Sequence, residues 1–328
     1  MPIAHNSAEI EPEATKTGWS QVQLMYNGSM LNAVPFALKT VAKTGLRKIG
    51  LDVRRIHAKM AAAPLYDDPL EAYYVAVQGH RASFLCPISE IIDLQGFRFC
   101  PPNWHPFVAA IQKLEAHGAE EAEALLERYY TSFQPANAAE AYHDFPDAPP
   151  LYARSKPHLF RLAPWHFETP EQMIGKIERW MLNDSIHQGK ALSIQVGGYP
   201  MYGPVSPDKR KIELKRLADV WRSIRTHGYD RIHGDCRFLI LRRGSEIRYV
   251  IGGGGYHRTA AMAACGYDRV PGEFWPRPAI IDTADVDHWP QVRRGVWSRG
   301  QALSYVEHLF RHRVPVAADA MGASDQKG

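Results

Sequence analysis

Apolar positions along this chain alternate between two periods, and the change of period marks the predicted elements. Leu38, Val41, Gly45 and Ile49 recur at helical spacing with Lys39, Lys43, Arg47 and Lys48 between them, which predicts a basic amphipathic helix over 35–60 after a polar tail, 1–34. In 65–145 the runs Tyr73–Val77 and Ala82–Leu85 predict a hairpin around Gln78-Gly79-His80, followed by a short helix from Pro87. Helices are then expected over 107–116, 119–130 and 136–142. The proline-rich stretch 146–152 reads as a linker. Beyond it, Thr169-Pro170-Glu171 signals a helix start, with Ile174, Ile177 and Met181 on one face. A second helix is expected over 209–226, with Ile212, Leu217, Val220 and Ile224 turned inward. Strands 237–241 and 246–251 form a hairpin about Gly244, and 270–274 adds another strand. The region 281–314 reads as a C-terminal helical cover with a helix from Ser298, and 315–328 as a tail.

The stretch that organises the rest is Val250-Ile251-Gly252-Gly253-Gly254-Gly255-Tyr256-His257-Arg258-Thr259: strand, glycine loop, helix. Glycines let backbone N–H groups approach a ligand, and a helix start presents unpaired donors at its positive end, so an anion such as a nucleotide phosphate suits this loop. Gly253, Gly254, Gly255, Tyr256, His257, Arg258 and Thr259 are therefore candidate binding residues. The alternative is a tight turn whose Arg258 pairs with a nearby acid. Lys209, Arg210, Lys211, Lys215 and Arg216 crowd the beginning of the 209–226 helix, where the helix dipole prefers acids. A bound polyanion would compensate them, with Lys209 and Arg210 as further phosphate ligands; solvent and Glu213 would do so as well.

Composition alters this picture little. The 328 residues are 45% hydrophobic and 23% charged, with a formal net charge of +4, so a buried core is expected and general nucleic-acid affinity is not. Cys86, Cys100, Cys236 and Cys265 lack metal-knuckle spacing and read as free thiols of a reducing compartment. No apolar run reaches the length of a membrane span and no secretion signal is present, so the expected location is the cytoplasm, with the 38–60 helix as a candidate peripheral contact to an anionic inner-membrane surface.

The series of Leu217, Ser223-Ile224, Gly228, a hairpin, Gly255-Tyr256-His257-Arg258, Ala260-Ala261 and Gly266 to Val270-Pro271 resembles the ParB/sulfiredoxin superfamily over about residues 190–280. Phe133–Glu140 and Trp289–Arg293 extend the likeness to ParB-like proteins encoded among bacterial surface-polysaccharide genes. The resemblance implies an α+β fold, with a small mixed sheet and helices forming a nucleotide domain over 153–280 beside a separate N-terminal α+β region. It also implies ATP or CTP with Mg²⁺ as the bound cofactor, and a phosphotransferase or nucleotide hydrolase acting on a small hydroxylated metabolite or sugar precursor. A nucleotide-responsive switch in surface-glycan assembly, without turnover, is the other function it implies. Tyr256 stands where sulfiredoxins carry cysteine, so sulfur chemistry is not expected. The residues after Phe274 are too irregular for a helix-turn-helix module, so DNA is not an expected partner. A hydroxyl acceptor needs a general base, for which Asp235, Glu213 and Glu273 are the candidates.

Overall fold

The computed structural model describes residues 62–101, 104–143, 145–275 and 279–311. The tails 1–34 and 315–328 and the basic helix expected over 35–60 lie outside the described residues.

Two short strands, β1 (Leu65–Tyr66) and β2 (Ser83–Pro87), flank the helix α1 (Pro69–Val77). Here the structure corrects the expected hairpin. Tyr73–Val77 has strand-forming residues, but the Asp68 side chain accepts from Leu70 N at 2.8 Å and Pro69 occupies the first turn, so the local start signal fixes a helix that buries Ala72. After a 3₁₀ turn, Ile88–Glu90, comes β3 (Ile91–Ile92). The helices α2 (Pro106–His117) and α3 (Ala119–Ser132) form an antiparallel pair joined by Gly118, whose φ of +90° reverses the chain in one residue. The helix expected over 136–142 is instead a series of turns, because Asn137 Oδ1 accepts from both Ala139 N and Glu140 N.

Thr169 and Gln172 make a reciprocal capping box for α4 (Pro170–His187). A short turn, α5 (Ile194–Gly197), leads to α6 (Pro207–His227), capped by Ser206. The strands β4 (Cys236–Arg243) and β5 (Glu246–Ile251) form the expected hairpin, with register from Phe238 opposite Ile251 to Arg243 opposite Glu246. The helix α7 (Tyr256–Ala264) follows the glycine loop, then β6 (Arg269–Phe274) and β7 (Ile280–Asp282). Last come α8 (Pro290–Arg293) and α9 (Arg299–Phe310), the latter opened by a Ser298/Gln301 capping box.

Among the described residues, nine helices and seven strands make a mixed α+β fold. The sheet order is β1-β2-β6-β4-β5-β3, and β7 continues beside β4 beyond β6. Strands from 65–92 and strands from 236–282 thus belong to one sheet, and all the described residues belong to one compact unit. Phe145, just before the expected linker, and Pro149 within it are buried. The C-terminal cover also reaches the turn that follows β3: Tyr305 Oη donates to Leu94 O at 2.7 Å, and Tyr305 and Trp297 pack on Tyr142 and Tyr152. Apolar residues of α7, Ala260, Ala261 and Met262, are fully buried where this helix lies against α2 and α6. That packing sets the direction in which the glycine loop opens.

Candidate functional site

The loop is an extension of the β4–β5 hairpin. Gly252 N donates to Arg237 O and Arg237 N donates to Gly254 O, each at 3.1 Å, so the backbone of one arginine holds both sides of the loop. The glycines serve different needs. At Gly255, φ is +115° and an added Cβ would stand 3.0 Å from Cys236 Cβ; at Gly253, it would stand 2.0 Å from Trp275 Nε1. Gly254 combines a φ of +152° with open surroundings, the nearest atom to its hypothetical Cβ being Arg237 Cδ at 4.0 Å. All four glycines remain half-buried, and no side chain caps the start of α7. Backbone donors at such a start have no intrahelical partners.

The side chains after the loop turn inward in different directions. Tyr256 is buried, and its hydroxyl accepts from Arg161 Nη1 at 2.9 Å while Arg161 Nη2 donates to Gly252 O at 3.2 Å. A guanidinium only 8% exposed therefore braces the loop from behind, joining the residue that enters it to the residue that leaves it. Thr259 is also buried. His257 lies 2.8 Å from Glu213 and stacks on Phe107.

Glu213, 1% exposed, lies at the centre of an ionic cluster. Lys209 Nζ is 2.8 Å from it, Arg216 Nη1 is 3.5 Å from it, and Asp184 pairs with both cations. Burial pushes the Glu213 carboxyl up, but the His257 hydrogen bond and the charges of His257, Lys209 and Arg216 pull it down further, to about 2. An ionised carboxylate only accepts, so His257 Nε2 carries the proton in this contact.

Arg258 donates to the carbonyls of Gly234 and, at 3.2 Å, of Asp235. It anchors the segment that leads into β4, in place of the side-chain salt bridge that sequence offered as its alternative role. The Asp235 carboxylate is taken by Arg231, with Nη2 at 2.7 Å. Arg210 pairs with Glu123 and Glu127 on α3, each at 3.4 Å. Acids of the chain itself thus compensate the basic start of α6, with Ser206 as cap and Asp208 in the first turn. Glu273 pairs with Arg237 at 2.9 Å, and the Arg237 guanidinium lies 4.2 Å from the centre of the Trp275 ring system.

Structure thus brings His257, Glu213 and Lys209 into one cluster, holds Asp235 through Arg231 and Arg258, and leaves Glu273 half-exposed against Arg237. Arg161, Arg237 and Trp275 escape sequence reasoning. Arg161 ends a 3₁₀ segment, Pro157–Arg161, about ninety residues before the loop and carries no motif. Trp275 follows a predicted strand directly, and an aromatic in that place was the available signal.

Behind Arg161 lies a second buried polar group. Asp93 Oδ1 accepts from Gln95 N and Phe97 N, each at 2.9 Å, and His105 Nε2 is 3.7 Å from Oδ2. Burial raises Asp93 to about 7 despite those bonds and the charge of Arg161. Burial, with the nearby His257 and His143, lowers His105 to about 3.

A cleft of about 420 Å³ lies at the opposite end of α7, lined by Trp221, Arg225, Gly228, Cys265 and Tyr267 among others. It sits where α6 and α7 end, and helix C-termini carry the negative pole, so it is the wrong end of these helices for a phosphate. No family model, curated protein or solved structure matches this chain. Among the described residues, no group of three or more His, Cys, Asp and Glu side chains is placed to hold a metal ion. The candidate carboxylates each face a cation, so Mg²⁺ here would rest chiefly on the ligand's own phosphates and water. No described helix is long and apolar enough to cross a membrane.

Proposed function

We propose that the chain is a nucleotide-binding protein, with the phosphates of ATP or CTP lying against Gly253–Gly255 and the first turn of α7. The observation that carries this reading is a half-exposed loop in the left-handed region at Gly254 and Gly255, opening onto a helix start that no side chain caps. Arg237, half-exposed beside the loop, is the cation best placed to turn toward a phosphate. His257 and Arg258 shape the first turn from inside.

Two uses of the bound nucleotide follow. In the first, a phosphotransferase or hydrolase acts on a small hydroxylated metabolite or sugar precursor. Glu273 is then the carboxylate within reach of an incoming hydroxyl, since Glu213 is buried and Asp235 is held by Arg231. In the second, the protein is a nucleotide-responsive switch in surface-glycan assembly, with no turnover. The pairing of all three candidate carboxylates with cations favours this second use.

The experiment is a melting-temperature screen of the purified full chain with ATP, ADP, CTP and GTP plus Mg²⁺, followed by assays of phosphate release and transfer. A nucleotide at a hundred times its Kd stabilises by ~2.7 kcal/mol, an easily measured rise. Turnover supports the enzyme, and a shift without turnover supports the switch. If saturating nucleotide leaves the transition unmoved, both uses fall.

A further inference from the structure

We propose that Trp275 is a stacking platform for the ring of a ligand whose phosphates occupy the glycine loop, so that the site takes nucleoside phosphates in preference to ring-free polyphosphates. This rests on the phosphate reading of the loop and extends it from the anion to the rest of the ligand.

The indole is built against the loop. Trp275 N donates to Phe238 O at 3.0 Å, which fixes its backbone to β4, and the side chain lies so close to Gly253 that an added Cβ would overlap Nε1 and Cε2 at 2.0 and 2.2 Å. Gly253 therefore makes room for an aromatic ring, whereas Gly254 beside it faces open space. Although so closely seated, Trp275 is 38% exposed, among the few large apolar side chains left at the surface.

One planar group already stacks on it. The Arg237 guanidinium lies 4.2 Å from the ring centre, with its Nε bonded to Glu273 Oε1 at 2.9 Å. Arg237 and Glu273 are themselves 38% and 31% exposed, so this arrangement is held at the surface and exchangeable. The Arg237 backbone is fixed to Gly252 and Gly254, so its side chain can leave the indole for a phosphate in the loop without moving the scaffold. That rotation puts a cation on the anion and frees an aromatic face one side chain away. A nucleobase then fills the place the guanidinium left. Since every base has a π-face, stacking alone predicts tolerance between purines and pyrimidines.

The test uses the full chain and isothermal titration with ATP, CTP and inorganic tripolyphosphate, each with Mg²⁺, on wild type, Trp275→Ala, Trp275→Leu and Trp275→Phe. Wild type is expected to bind both nucleotides at least about tenfold more tightly than tripolyphosphate. Trp275→Ala should lose that margin and leave tripolyphosphate affinity unchanged, while Trp275→Phe retains most of it. Trp275→Leu keeps apolar cover without a π-face and gives the same loss if the alanine variant does not fold. Tripolyphosphate binding as tight as nucleotide, or nucleotide affinity indifferent to Trp275→Leu, overturns the platform while leaving the anion loop intact. If wild type binds none of the three, the loop reading fails and the platform with it.

Discussion

Replacing Glu213 with glutamine keeps the shape of the side chain and removes its charge from the centre of the α6–α7 cluster. The carboxylate is 1% exposed, so water screens it little. Its fall from an ordinary 4.5 to about 2 corresponds to roughly 3–4 kcal/mol, at about 1.4 kcal/mol per pK unit, of preference for the ionised form in the folded state. The folded value lies below the unfolded one. The contribution is therefore complete above about pH 4.5 and disappears as pH falls through 2. Glutamine also leaves the buried Lys209 ammonium with Asp184 at 3.5 Å as its carboxylate partner, and a buried pair broken on one side typically costs about 3–5 kcal/mol. Glu213→Gln should thus lose about 3 kcal/mol in urea denaturation of the full chain at pH 7, with the gap narrowing at pH 3. Adding Lys209→Met should recover part of the loss, because an uncharged apolar pair carries no stranded charge. A single variant within about 0.5 kcal/mol of wild type, or a gap that widens toward acid, would refute the assignment of Glu213 as a buried, fully ionised anchor.

Asp93 has the opposite sign: its folded value, about 7, lies above the ordinary 3.8, so its contribution is full below 3.8 and is lost as pH rises through 7. Asp93→Asn keeps an acceptor for Gln95 N and Phe97 N and should be more stable than wild type in thermal melts at pH 8, with the advantage fading toward pH 4; an advantage that grows toward acid contradicts the reasoning. Arg258→Met removes charge-assisted bonds to the Gly234 and Asp235 carbonyls and should cost about 2–3 kcal/mol without any ligand present, whereas an Arg258 that only serves phosphate would leave the ligand-free melting curve unchanged.

The readable parts of this chain were those whose cause lies within a few adjacent residues. The Thr169-Pro170 start of α4, the β4–β5 hairpin about Gly244 and the succession of strand, glycines and helix at 246–264 depend on caps, turn sterics and short-range periodicity, all present in contiguous sequence. Where local signals conflicted, packing and capping decided: Tyr73–Val77 has strand composition but becomes a helix behind Asp68-Pro69. Tertiary structure alone placed strands from 65–92 in the sheet that carries the loop, buried Glu213 among Lys209, Arg216 and His257, and brought Arg161 across about ninety residues to brace Gly252 and Tyr256. It also showed that Gly253 is small for the sake of Trp275, while Gly254 beside it opens to space. A glycine's conformational freedom is visible in sequence, but the atom that would collide with its missing side chain comes from a residue distant along the chain, and only the packed chain brings that atom near.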